Sequence, residues 1–157
     1  MKKVYLLMIG ITAFMSCTSI AEKKENSLEK TSPLVGTWKL ISGTTIKGND
    51  TITTDYTKNQ EMIKIFNESH FSFLRHDLNQ GKDSTNTIYV AGGGRYTYKE
   101  NEYTEYLDYF NIREWENNQF SFEFEISGDT LITRGVEEVK ELNVNHINIE
   151  TLIRVKK

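Results

Sequence analysis

The chain has 157 residues, with 19 basic against 22 acidic side chains and a net charge of −3. That length suits one domain around one core. The absence of a basic stripe or patch excludes a nucleic-acid surface, and the lone Cys17 excludes an internal disulfide.

Lys2 and Lys3 precede an apolar run, Val4–Met15. It is about 12 residues long, short of the roughly 20 that span a bilayer but right for the core of a signal peptide. The small Ser16 sits just before Cys17, where signal peptidases prefer such a residue. Phe14-Met15-Ser16-Cys17 resembles a lipobox, the site at which a diacylglyceryl group joins a cysteine. The strict pattern has Leu at the position of Phe14, and looser versions occur in some Gram-negative bacteria. The alternative is an ordinary secretory signal cut near Ser16 or Ala21.

Residues 1–16 are therefore expected to be a lipoprotein signal peptide, with Cys17 carrying the lipid, palmitate included. Each buried CH₂ contributes about 0.8 kcal/mol, so more than one acyl chain anchors stably. Thr18 stands where an inner-membrane retention signal commonly has Asp. The expected location is the outer membrane, facing the periplasm, with the cell surface or secretion as alternatives. Residues 17–33 read as a lipidated flexible tether, polar and closed by Pro33, with a reach of roughly 20–24 Å.

Residues 34–157 form the predicted domain. Strands are expected over Trp38–Lys47, Glu61–Asn67, Phe71–Asp77, Thr87–Ala91 with Gly94–Lys99, Tyr103–Phe110, Phe120–Ser127, Thr130–Val139 and His146–Lys156. These runs are rich in Thr, Ile, Val, Phe and Tyr and are separated by turn residues. Phe120, Phe122, Phe124 and Ile126 alternate with Ser121, Glu123 and Glu125, giving one buried and one wet face. No segment keeps a helical period. Eight short strands at regular spacing predict an all-β, antiparallel, up-and-down eight-stranded barrel, which closes away its edges.

Gly36-Thr37-Trp38 opens the first strand, Ala91-Gly-Gly-Gly-Arg-Tyr-Thr-Tyr98 lies mid-domain, and Glu102-Tyr-Thr-Glu105 follows closely. Together these resemble the lipocalin-like domain of Gram-negative lipoproteins over roughly residues 34–157. The resemblance implies a barrel with a cavity and no assigned activity. It also implies that a late arginine, Arg154, packs over Trp38 at the Gly36 end of the barrel. Strand alternation, however, puts Ile147, Ile149, Thr151, Ile153 and Val155 inside and Arg154 outside.

Gly92–Gly94 lack the following Lys-Ser/Thr and helix of a phosphate loop and are expected at a strand bend or bulge. Glu105 shares a face with Tyr103, Leu107 and Tyr109, slightly more apolar than the face of Thr104, Tyr106, Asp108 and Phe110, and is placed inward. A carboxylate there needs a partner and has a raised pKa. Arg75 or Arg134 is the expected partner, the alternative being an opposite parity that exposes Glu105. His70, His76 and His146 show no metal-ligand spacing, and neither a metal nor a cofactor is expected. Arg113-Glu-Trp115 lies in a loop, its aromatic either at a barrel mouth, on a partner or folded onto the core. Asp50-Thr-Ile52, Asp83-Ser-Thr85 and Asp129-Thr-Leu131 resemble an O-glycosylation pattern of exported proteins, the first two in predicted loops.

The leading expectation is a lipid-anchored barrel binding a small hydrophobic or amphipathic ligand, without catalysis. Phe71, Phe73, Tyr96, Tyr98 and Phe122 would line the cavity, with Glu105 or an arginine such as Arg75 at the polar end. The alternative is an envelope interaction or inhibitor module contacting a protein through loops Gly48–Lys58, Asn79–Asn86 and Asn111–Asn118. An enzyme using Glu105 as acid or base is a third reading.

Overall fold

A computed structural model describes residues 31–156. The expected signal peptide, the anchor at Cys17 and the tether as far as residue 30 lie outside the described residues. The described strands are β1 (Gly36–Lys47), β2 (Asp50–Asp55), β3 (Gln60–Phe66), β4 (His70–Asp77), β5 (Tyr89–Lys99), β6 (Glu102–Phe110), β7 (Asn118–Ser127), β8 (Thr130–Val139) and β9 (Val144–Arg154). β1 pairs with both β2 and β3, successive strands from β3 onward pair antiparallel, and β9 returns to pair with β1. β2 and β3 share one place in the ring, because β2 pairs with Ser42–Lys47 of β1 and β3 with Gly36–Lys39. The result is a closed, eight-stranded, up-and-down antiparallel barrel, as the strand spacing predicts.

Two local features differ from the sequence reading. The predicted loop Gly48–Lys58 contains β2, whose residues are nearly all exposed. A Thr-rich strand that buries neither face has no alternation to reveal it. Asp50-Thr-Ile52 therefore starts a strand, not a loop, although Thr51 is exposed. β5 also runs unbroken through its glycines. The expected irregularity is a register shift there, with Gly93 opposite Tyr109 but Gly94 opposite Leu107, so that Asp108 is extruded. A Cβ on Gly94 would lie 1.9 Å from the Tyr106 carbonyl oxygen, so the bulge requires glycine. The extruded Asp108 takes a fork of bonds from Arg95, at 3.0 and 3.1 Å.

One barrel end is packed solid. Its hairpins are at 67–69, 100–101 and 128–129. Leu34, Trp38, Phe66, Phe71, Tyr96, Tyr103, Phe122, Leu131 and Leu152 are all buried. Phe66 meets the Tyr96 and Tyr103 rings edge-on at 5.2 and 5.9 Å, and Tyr103 stacks on Phe122 at 5.4 Å. Trp38 donates its indole N–H to the Leu34 carbonyl at 2.7 Å. Arg154 lies 4.0 Å over the Trp38 ring and donates to the carbonyls of Val35 and Pro33. Gly36, at φ 140°, leaves room for that guanidinium: a Cβ there would sit 2.5 Å from Arg154 Nη1. Ser32 is buried against the same end.

The parity expected for β9 is reversed. Glu150 and Leu152 are buried while Ile153 and Val155 are exposed, so Arg154 points to the Trp38 side. The inward positions of β9 include His146, Asn148 and Glu150, and their polarity made the isoleucine face look like the core.

Candidate functional site

Above the aromatic plug, three strands each send one charged side chain into the barrel. Lys64 on β3 stands between Trp38 of β1 and Phe73 of β4. Glu105 on β6 lies between Tyr96 and Phe120. Glu150 on β9 lies between Gly43 and Thr133. The Lys64 ammonium donates to Glu105 Oε1 at 2.9 Å and to Glu150 Oε2 at 3.2 Å. These side chains are only 5, 8 and 11% exposed in that order. An ion buried this deeply is tolerated only when it is paired and hydrogen-bonded.

The cluster is not charge-balanced, since one ammonium faces two carboxylates. Burial pushes the Glu105 carboxyl above its ordinary range, against the pull of Lys64. Burial alone would lower the Lys64 ammonium, but Glu105 and Glu150 outweigh it and hold the group well above its usual value. Two hydroxyls among the described residues, those of Tyr103 and Thr133, are buried in this region without a hydrogen-bond partner, each residue 1% exposed. Burial, then the nearby Glu105, raises the Tyr103 phenol well above its ordinary range.

The polar layer floors a cavity of about 290 Å³ that opens at the other barrel end. Met62, Phe73, Val90, Leu107, Phe110 and Phe120 form its walls, with Ile112 and Trp115 at the rim. Trp115 sits in a 3-10 turn, Arg113–Trp115, and meets Phe110 and Phe120 at 6.2 and 6.1 Å. Arg75 and Glu137 stand higher in the mouth. Arg75 donates to Gln60 at 2.8 Å and lies 4.9 Å over the Tyr56 ring. Glu137 meets His146 at 3.0 Å and Asn148 at 2.9 Å, and that contact raises the His146 pKa.

Of the residues expected to line a cavity, Phe73, Arg75 and Glu105 do so. Phe71, Tyr96 and Phe122 are buried in the plug, and Tyr98 packs half-buried against it. Alternation tells which side chains face inward but not their height along the barrel axis. The expected arginine partners of Glu105 are also replaced. Arg134 is exposed on the outer face, and Arg75 is engaged by Gln60 and Tyr56. Lys64 and Glu150 were missed by the sequence reading. The inward set of β3, Gln60, Met62, Lys64 and Phe66, is no more apolar than its outward set. The pairing of Phe66 with Phe71 across the short hairpin is the signal that fixes Lys64 inside.

His70 and His76 are exposed, and the described residues contain no group of three or more potential metal ligands. Among them no helix is long and apolar enough to cross a membrane. No protein-family model matches the chain, and no curated protein matches it.

Proposed function

We propose that the protein binds a small hydrophobic or amphipathic molecule in the barrel mouth, its chain along the apolar wall and its polar end on the floor. One observation carries this reading: the interior is divided, solid at one end and hollow over a charged layer at the other. Ligand sites combine mostly apolar walls with a few convergent polar groups, and the 290 Å³ of this cavity falls just below the roughly 300 Å³ at which their usual volumes begin. An eight-stranded barrel is just wide enough to hold one small ligand. The site and not the barrel supports this reading, because the same fold hosts unrelated functions.

N-phenyl-1-naphthylamine, a neutral dye that brightens in apolar surroundings, tests the reading. Saturable enhancement at one dye per barrel is the expected result. A titration that never saturates, or shows no enhancement, contradicts it.

The same proposal places the barrel at the periplasmic face of the outer membrane through a lipid on Cys17. Its support is the sequence pattern from Lys2 to Thr18. Labelled palmitate is expected to enter the full chain and to be lost with Cys17→Ser. Label retained by that variant contradicts the anchor.

A further inference from the structure

We propose that the mouth selects amphiphiles with a cationic head, the alkylamines, and rejects those with a carboxylate or other anionic head. The inference rests on the ligand-binding reading above and adds the head-group chemistry. It begins from the unequal charges of the floor, where Lys64 faces both Glu105 and Glu150. Lys64 reaches one oxygen of each carboxylate, Glu105 Oε1 and Glu150 Oε2. Interior anions beyond the number of cations must take up a proton or meet a further cation. An ammonium head entering from the mouth supplies that cation and hydrogen-bonds a carboxylate. An anionic head would bring a third negative charge into the same poorly solvated layer.

The other charged and titratable groups around the floor do not reverse this balance. Arg75, from β4, is the second cation of the lining; neutral Gln60 and the Tyr56 ring hold it without cancelling its charge, and the lining's third carboxylate, Glu137, offsets it. Glu137, from β8, is held by His146 and Asn148 and adds negative charge to the lining. Tyr103, from β6, carries a phenol whose deprotonation burial opposes. Its hydroxyl and that of Thr133 are the unpartnered buried polar groups of the region.

The uneven charge also couples binding to protons. Burial favours the protonated form of the Glu105 carboxyl, whereas an ammonium head favours the ionised form. Amine binding is therefore expected to release protons and to tighten as pH rises toward neutrality, as long as the amine stays protonated.

The test is calorimetric titration of the intact protein with octylamine, octan-1-ol and octanoate, which share one chain and differ in the head. Octylamine is expected to bind at least tenfold more tightly than octanoate, with octan-1-ol between them. Repeating the octylamine titration in buffers of different ionisation enthalpy is expected to show proton release. Glu150→Gln equalises the floor charge and is expected to erase the preference of octylamine over octan-1-ol. Glu105→Gln provides the second reading if that variant does not fold. Octanoate binding as well as octylamine, or three equal affinities, overturns the head-group proposal while leaving the ligand-binding reading in place. If none of the three binds, the ligand-binding reading itself fails.

Discussion

Lys64→Met is expected to lower the unfolding free energy by about 3–5 kcal/mol near neutral pH, because it strands two carboxylates in the barrel interior. The side chains are similar in length, so packing changes little and the loss is mainly electrostatic. The pH dependence identifies the cause. A carboxyl whose folded pKa is raised contributes stability that is whole below its unfolded value, about 4.3. That contribution is lost as pH rises through the folded value. In the variant the Glu105 carboxyl follows this pattern with no Lys64 to oppose it, so the penalty should shrink markedly as pH falls toward about 4.5. In the parent the Lys64 contribution is whole below about 10.4 and is lost as pH rises through its elevated folded value. Urea unfolding of both proteins across this range measures the difference, with C_m and m fitted together. A loss under about 1 kcal/mol that ignores pH would mean the cluster is solvated like a surface pair.

Trp38→Ala is the second large effect, about 3–5 kcal/mol for deleting a fully buried indole. The deletion also removes the ring beneath Arg154 and the 2.7 Å bond to Leu34 that ties the incoming chain to the plug. Arg154→Lys is expected to cost less, because it keeps the charge but loses the flat face and the fork to Val35 and Pro33. Denaturation midpoints at unchanged m report both substitutions. If Trp38→Ala unfolds no earlier than the parent, the plug is not what closes this end.

These effects come from residues that differ in how readily the sequence exposed them. Strand existence and the barrel class were legible, because β7 carries strict alternation from Phe120 to Ile126. Glu105 was placed inward for the same reason, with Tyr103 and Leu107 as neighbours on its face. Its partners were not legible. A polar layer inside a barrel inverts the rule that the apolar face is the inner one, and β9 shows the inversion plainly: Ile147 and Ile149 point away from the side that carries His146, Asn148 and Glu150. The Gly36, Trp38 and Arg154 arrangement came from resemblance, while local alternation pointed the other way. Of the five aromatics expected around the ligand, only Phe73 lines the cavity, while Phe71, Tyr96, Tyr98 and Phe122 sit too near the closed end. Height along the axis depends on hairpin positions and register, which a single strand does not encode.

The central claim is that the barrel is hollow at the mouth and filled at the Trp38 end. Methyl-resolved NMR during the naphthylamine titration tests it most directly. Saturable shifts are predicted at Met62, Val90, Leu107 and Ile112, which line the cavity, with Leu40, Leu131 and Leu152 in the packed core unmoved. Shifts confined to the exposed Ile132, Val136 and Ile153 on the outer wall, with the mouth methyls silent, would contradict it.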